Sequence, residues 1–388
     1  MRIAIIAGTP QLVRAARALG VGTVFVHDSA APPPEVEADL VLSVPLDAPG
    51  ALHAALAPLH AEEPFDRVFS LTESGLLPAA EAMERLGLRG GNSAHTVRLL
   101  RDKTAMRELL NVRGLSPVAV STPGGPADLA RFCRDVAGPV ILKPSGGAGS
   151  HAVVRVESAD DAPAAWERFT RAAGTEPIAE EYLDGPEVSV EGFSHQGTHT
   201  IIAVTDKLTQ AHFVEVGHTM PSTLPAAARS AVVELVRDFL SLINLVEGPS
   251  HTEVKLTAGG PRIIESHNRI GGDKIRELIR LAYGIELVAL TAGAPLGLLE
   301  PPRTDPEPVG GAAIRFLTPP PGVVKRIELP AERPEGTKVS LDVHVGDEVV
   351  PVRRSQDRAG YVLAGGTDAD DAVRSCDRLL AGVSIETG

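Results

Sequence analysis

The sequence predicts a multi-domain protein of α/β and α+β class, with an N-terminal doubly wound α/β lobe, a mixed central domain and a small C-terminal α+β lobe. Three observations predict it. Residues 2–7 (RIAIIA) are a continuous apolar run, as in a strand buried on both faces of a parallel sheet. Strand-like and helix-like runs alternate through residues 1–90, the pattern of βα units. After the Pro/Gly-rich stretch 304–311, residues 312–388 are mostly short strand-like runs with a closing helix at 369–380. The expected domains are 1–95, 96–303 and 304–388, the second containing a mobile glycine-loop subdomain at about 118–183.

Composition narrows the function. A chain of 388 residues is long enough for several lobes. At 43% hydrophobic residues, sizeable cores are available; at 3% aromatics, they must be built from Val, Leu, Ile and Ala. A net charge of −13 argues against nucleic acid as a partner, because phosphate backbones need basic surface. An acidic protein can still hold ATP locally, through a metal, a few lysines and backbone N–H groups. Cys133 and Cys376 are the only cysteines and lie far apart, so neither a disulfide framework nor a zinc site is indicated. The chain begins on a strand-like run without the apolar core of a signal peptide, and no run of about 18 apolar residues occurs. A cytoplasmic protein with no membrane partner is the expectation.

In the first lobe, Gly8 is followed by helical spacing at 11–19. Residues 23–27 (TVFVH) form a second strand ending at Asp28, and 40–44 a third. Residues 52–59 form a helix, and 67–71 (RVFSL) a fourth strand ending at Thr72 and Glu73. Functional groups in such sheets gather at the carboxyl ends of strands. Glu73, between Thr72 and Ser74, serves there either a helix N-terminus or a substrate. No GxGxxG follows the first strand, which disfavours a dinucleotide site and with it a dehydrogenase.

Residues 92–110 read as a helix containing Lys103, 112–117 as a connector, 122–125 as a turn and 126–136 as a helix. Residues 139–156 (PVILKPSGGAGSHAVVRV) run strand, glycine-rich turn, strand. A P-loop opens a helix instead, but the physics is shared: glycines let backbone N–H groups approach phosphate oxygens without side-chain clash. Lys143, ending the first strand, is placed to reach a phosphate. Alone, the turn Gly146, Gly147 and Gly149 is equally a plain hairpin turn. Residues 178–183 (IAEEYL) form another strand. Residues 187–192 alternate, with Glu187, Ser189 and Glu191 on one face, and 201–205 continue the sheet. Glu215 and His218, three apart around Gly217, either hold an ammonium and a carboxylate or pair with each other. Residues 226–242 and 274–292 read as helices, the second with Arg276 and Arg280 one turn apart as surface charges. Arg315, in the strand that opens the last lobe, either points back at the site or makes a structural salt bridge.

The stretch 251–273 (HTEVKLTAGGPRIIESHNRIGGD) carries most of the chemistry. HTEVKL and RIIESH suit strands, and TAGGP the turn between them. Pairing symmetric about Gly259 sets Glu253 opposite Glu265 and His251 opposite His267. Like charges opposed across a hairpin are destabilising unless a cation lies between them. Mg²⁺ is the simplest such cation, since it takes carboxylate oxygens and keeps phosphate oxygens as further ligands. Beyond the second strand, Arg269 can grip a phosphate or carboxylate bidentately, beside Asn268 and the Gly271-Gly272 pair. A one-residue slip of register would separate the glutamates and leave a solvated hairpin.

Taken together, RDKTAMRELL, VILKPSGGAGSHAVV, AEEYLDGPEVSVEG, HFVEVGHTMPS, HTEVKL…PRIIESHNRIGGD and AAIRFLTPPPGVV resemble the ATP-grasp superfamily. More closely, they resemble its carboxylate–amine ligases of the L-amino-acid ligase (dipeptide synthetase) kind. The resemblance runs over essentially the whole chain. It implies an ATP-grasp fold, ATP and Mg²⁺ (or Mn²⁺) as cofactors, small-molecule carboxylate and amine substrates and, by analogy alone, a homodimer. It implies that Lys103 and Lys143 contact ATP phosphates under a closing loop that includes Gly146, Gly147, Gly149 and Ser150. Glu180, Tyr182 and Leu183 are then the adenine contacts, Glu187 the ribose contact, and Glu253 and Glu265 the magnesium ligands. Arg269, Lys143 and His218 are the implied catalytic residues, Arg269 steadying the acyl phosphate or substrate carboxylate. Glu73, Glu215, His218, Arg269, Gly271, Gly272 and Asp273 are the implied substrate contacts. Two departures stand out. The usual Glu-x-Asn is here Glu265-Ser266-His267, with Asn268 one step later, so either His267 or Asn268 completes the metal shell. Some dipeptide ligases carry a Trp lining the acceptor pocket where Asp273 stands, so Asp273 implies a larger or cationic second substrate.

The implied reaction is ATP-dependent amide formation. The γ-phosphoryl group passes to a carboxylate, an amine attacks the acyl phosphate, and ADP and phosphate leave. The amine must be neutral to attack, and His218 or Glu215 is the candidate base. The alternatives are a ligase with a thiol or other non-amine acceptor, and a non-catalytic ATP-binding regulatory module. The second is disfavoured because both lysines, both metal glutamates and Arg269 are present.

Overall fold

The computed structural model describes residues 1–147, 152–209, 213–330, 332 and 334–388. The apolar N-terminal run forms β1 (Arg2–Ile6), followed by α1 (Pro10–Ala18), β2 (Gly22–Asp28), β3 (Leu40–Val44), α2 (Ala51–Glu62), β4 (Arg67–Phe69) and α3 (Glu73–Arg85). The four strands are parallel, in the order β3-β2-β1-β4. Successive residues of a strand face opposite sides. Ala4 and Ile6 therefore join Val24 and Val26 in a core with Leu52 and Leu56 of α2 and Ala79 of α3. Ile3 and Ile5 join Phe25 in a second core with Leu12, Val13 and Ala16 of α1. Both faces are covered, as a doubly wound sheet requires.

Residues 92–110 form two helices rather than one, α4 (Ala94–Arg101) and α5 (Lys103–Val112). Asp102 breaks them apart with extended backbone (φ −107°, ψ 99°), and its carboxylate accepts from the N–H groups of Thr104 and Ala105. It is thus the N-cap of α5. The break makes Lys103 the first residue of a helix.

A small antiparallel sheet follows. Its elements are β5 (Val120–Ser121), α6 (Pro126–Val136), β6 (Val140–Pro144), β7 (Val154–Val156), α7 (Ala162–Ala172) and β8 (Pro177–Glu181), with strand order β5-β8-β6-β7. Leu129, Leu142, Val156 and Phe169 are buried between sheet and helices.

The largest sheet begins with β9 (Glu187–His195), β10 (Thr198–Thr209) and β11 (Glu215–Met220). Then come α8 (Ala226–Leu242), β12 (Gly248–Thr257), β13 (Gly260–His267), α9 (Ile275–Tyr283) and α10 (Leu287–Gly293). The stretch 274–292, read as one helix, divides at Gly284, whose φ of +67° ends α9. The chain closes with β14 (Gly311–Phe316), β15 (Gly322–Glu328), β16 (Thr337–Leu341), β17 (Glu348–Val349), β18 (Gly360–Gly366), α11 (Ala369–Ala381) and β19 (Ser384–Thr387).

Strand order in the large sheet is β13-β12-β9-β10-β11-β14-β18-β16. Three strands of the expected C-terminal lobe therefore extend the central sheet, and only β15, β17 and β19 form a sheet of their own. The reason is an edge: without β14, β11 would expose a row of unpaired N–H and C=O groups. Val232, Val236 and Phe239 of α8 pack on Val188, Val190, Val254 and Ile263 on one face of the sheet. Leu278 and Ile279 of α9 pack on Phe193, Ile202 and Ile314 on the other. Among the described residues no single helix is long and apolar enough to cross a membrane.

Candidate active site

The β12–β13 hairpin sets Glu253 opposite Glu265 and His251 opposite His267. Near the turn, Thr257 faces Gly260 and Val254 faces Ile263, a register that would bring Glu253 against Ile264. A bulge skips Ile264 and restores the glutamates to each other. Both line a cleft of about 520 Å³, together with Lys103, Lys143, Gly146 and Gly147.

Each glutamate is held by a lysine and a histidine. Lys103 Nζ lies 3.1 Å from Glu265 Oε2, and His267 Nε2 lies 3.2 Å from Oε1. Burial pushes the Glu265 pKa up, but Lys103 and His267 outweigh it and hold the carboxyl well below its usual range. Lys207 Nζ lies 2.7 Å and His251 Nε2 3.5 Å from Glu253 Oε1. Burial and Glu265 both push Glu253 up, yet Lys207 and His251 bring it down to about 2.

The histidines are backed by further acids. His251 Nδ1 is 2.9 Å from Glu191 Oε2, and His267 Nδ1 is 2.9 Å from Glu73 Oε1. Burial lowers the pKa of each ring, but the acids raise it further, to about 10 for His251 and above the ordinary value for His267. Asn268 lines a separate small cavity with Arg67, Glu247 and Pro249. His267 thus keeps Nε2 beside Glu265, while Asn268 belongs to the other cavity.

Two opposed carboxylates suit a hard divalent cation. Among the described residues no group of three or more His, Cys, Asp or Glu could hold a metal unaided. Oxygens of a bound phosphate are what the pair needs to complete a shell.

On the nucleotide side, Lys143 Nζ is 2.6 Å from Glu180 Oε2, and Arg107 Nε is 2.6 Å from Glu180 Oε1. Burial raises the Glu180 pKa, and Lys143 and Arg107 more than reverse it. Arg107 is fully buried and also donates to the carbonyls of Ser116 (3.0 Å) and Ile263 (2.5 Å). The Glu180 carboxylate is therefore taken by two cations. Tyr182 and Leu183 line the cleft, with the Arg155 guanidinium 4.1 Å over the Tyr182 ring. Glu187 also lines it, 2.6 Å from Lys207 and 3.3 Å from Lys255. Gly147 has a φ of +92°, which favours glycine, and its carbonyl accepts from Lys103 Nζ at 2.5 Å. Gly149 and Ser150 lie outside the described residues.

On the substrate side, Glu73 is the first residue of α3. Thr72 stands at the N-cap but donates its hydroxyl to the Ala7 carbonyl (2.9 Å) instead of capping the helix. Glu73 Oε1 accepts from Arg269 Nε at 2.6 Å as well as from His267. Burial raises its pKa, and His267 and Arg269 bring it to about 2. Its carboxylate thus orients Arg269 and His267. Glu215 lines the cleft, 3.3 Å from Lys207 and 3.3 Å from the Ser355 hydroxyl. His218 is buried, with Nε2 3.1 Å from Asp273 Oδ2 and Nδ1 sealed from solvent without a hydrogen-bond partner among the described residues. A Cβ on Gly271 would lie 2.6 Å from His251 Nδ1, so glycine permits that close approach; a Cβ on Gly272 would meet open space among the described residues. Arg315 makes the structural salt bridge, with Asp377 (3.1 Å), and also donates to the His218 backbone carbonyl (3.3 Å).

Asp273 corrects an expectation. Arg358 reaches both its carboxylate oxygens, Nη1 to Oδ2 at 2.9 Å and Nη2 to Oδ1, and lies 3.6 Å over the Phe316 ring. Burial raises the Asp273 pKa, but Arg358 and His218 hold it well below the usual range. Its charge is matched inside the protein, so it offers no free carboxylate to a cationic second substrate.

Sequence reasoning missed Arg107, Lys207 and Arg358. Arg107 lies one helical turn after Lys103, a signal that was available. Lys207 sits in a strand longer than its apolar pattern, and Arg358 in a loop without pattern.

Comparisons with known proteins bear on the fold. Residues 136–277 match the ATP-grasp domain, 13–90 the ATP-grasp N-terminal domain, and 315–388 the L-amino acid ligase C-terminal domain 2. The chain is 28% identical over 249 residues to the alanine–anticapsin ligase of Bacillus subtilis (strain 168), covering 58% of this chain and 52% of that protein. It is 27% identical over 259 residues to human carnosine synthase 1, covering 60% of this chain and 31% of that protein. It spans about half the length of the ligase and less of the synthase. The crystal structure of L-amino acid ligase from Bacillus licheniformis superposes with a TM-score of 0.81 at 24% identity, covering 100% of this chain and 98% of that one. The fold is that of the ATP-grasp proteins, as the motifs led us to expect.

Proposed function

From an ATP-grasp fold that spans the whole chain, we propose an ATP-dependent carboxylate–amine ligase that forms an amide bond through an acyl phosphate and releases ADP and phosphate. The carrying observation is the in-register pair Glu253 and Glu265, with Lys103 and Lys143 in the same cleft. Similarity to an alanine–anticapsin ligase and an L-amino acid ligase supports an amino acid as the acid and an amine or second amino acid as the acceptor.

Glu253 and Glu265 would hold Mg²⁺ beside the phosphates of ATP. The ion, when bound, offsets charge on the transferring phosphoryl group. Lys103 leaves Glu265 for the phosphates, and Lys143, oriented by Glu180, stays on them. Glu187 takes the ribose hydroxyls, and Tyr182 and Leu183 flank the adenine. Gly146 and Gly147, which line the cleft beside both lysines, cover the phosphates, and the exclusion of water there protects the acyl phosphate from hydrolysis. Arg269, braced by Glu73, steadies the acyl phosphate. Glu215 faces the cleft, receives the ammonium of the amine and takes the proton that it sheds before attack. His218, sealed behind it, anchors Asp273.

The test is phosphate release from Mg·ATP across pairs of L-amino acids, with mass spectrometry of products. ADP, phosphate and a new amide mass are expected, all lost in Glu265→Ala and Lys143→Ala. Turnover without an amide points to another acceptor such as a thiol. ATP binding without turnover for any acid points to a regulatory module.

A further inference from the structure

Lys207, on β10, lies beneath the cleft with its side chain 3% exposed. Its Nζ is 2.6 Å from Glu187 Oε1, 2.7 Å from Glu253 Oε1 and 3.3 Å from Glu215 Oε1. The three acids stand on three strands of one sheet: β9 and β11, which flank β10, and β12, one strand beyond β9. An ammonium has three N–H donors and no acceptor, so three carboxylates use its whole capacity. A buried cation is tolerated only when it is paired and hydrogen-bonded, and the same holds for each buried anion around it. Lys207 and its acids therefore stand or move together.

Granting the ligase reading on which this rests, we propose that Lys207 is a positioning residue. It binds the ribose acid Glu187, the metal acid Glu253 and the ammonium acid Glu215 into one unit. Recognition of the ribose and binding of the divalent cation then respond together to a change at a side chain that touches neither ligand. Lys255 is the internal control. It approaches Glu187 (3.3 Å) and the Gly185 carbonyl (3.2 Å), and pairs with neither metal acid among the described residues.

Two binding measurements on the full chain test this without turnover. One is the Mn²⁺ affinity of the protein saturated with the non-hydrolysable ATP analogue AMP-PNP, by electron paramagnetic resonance. The other is the preference for ATP over 3′-deoxy-ATP, by calorimetry without amino acid. Removing one partner of a buried charged cluster leaves the others uncompensated, so Lys207→Met is expected to weaken Mn²⁺ about tenfold and to bring the ribose preference to about unity. Lys255→Met lowers the ribose preference and leaves Mn²⁺ unchanged. Lys207→Arg, which keeps a buried multidentate cation, holds both values within about threefold of the parent. A Lys207→Met protein that melts lower but keeps both values overturns the proposal and leaves Lys207 a mere structural counter-ion.

If the Met variant does not fold, Glu187→Gln carries the test. With one of its three anions neutralised, Lys207 is held less firmly and the Glu253 carboxylate loses part of its setting, so Mn²⁺ binding weakens by about threefold. Unchanged Mn²⁺ binding in that variant overturns the proposal. A parent protein that binds neither nucleotide nor Mn²⁺ overturns the ligase reading first, a failure of a different kind.

Discussion

Arg107 and Asp273 show what a buried charge requires. Arg107 joins the Glu180 carboxylate to two backbone carbonyls while fully buried. Arg107→Met leaves Glu180 short of one partner, and a loss of about 3–5 kcal/mol in urea-unfolding stability is expected. Asp273 carries a pH signature. Its pKa is lowered from 3.8 in the folded state, so its stabilisation is full above 3.8 and is lost as pH falls through the lowered value. Between about pH 5 and pH 2.5, Asp273→Asn is therefore expected to lose less melting temperature than the parent. The sequence made the acids legible because motif and strand alternation single them out. It hid their counter-ions. Lys207 and Arg358 act across long sequence separations, and a lone basic residue in a strand or loop reads as surface charge.

At the scale of the element, the hairpin decides the site. Symmetry about Gly259 led to the right pairing of Glu253 with Glu265, but through a bulge that the pattern does not contain. Strand periodicity assumes an unbroken ladder, and a bulge is set by packing on both faces. The helix break at Asp102 escaped notice for a related reason. Apolar spacing ran through it, although an Asp followed by two capped N–H groups is a start signal. Gly271→Ala tests how tightly the hairpin is backed. Its Cβ would lie 2.6 Å from His251 Nδ1, which is itself held by Glu191, so His251 must shift and Glu253 with it. A rise of about tenfold in the Mg²⁺ concentration for half-maximal phosphate release is expected, with the melting curve still cooperative. An unchanged Mg²⁺ requirement would detach His251 from the metal site.

At the scale of the molecule, the site needs all three segments of the chain. Glu73 comes from α3 of the N-terminal lobe, the carboxylate pair from the central sheet, and the Arg358 clamp on Asp273 from the C-terminal segment. The order of motifs made the fold legible over the whole length. Continuity of the C-terminal strands with the central sheet was not, because pairing of β14 with β11 is a choice among edges that local sequence does not record. The most direct measurement follows the oxygen atoms. An amino-acid substrate labelled with ¹⁸O in its carboxylate is turned over with Mg·ATP and an amine, and the released phosphate is weighed. An acyl phosphate passes one carboxylate oxygen to phosphate, so phosphate carrying one ¹⁸O is expected. Unlabelled phosphate alongside amide product would contradict the account, since the carboxylate would then never have been phosphorylated.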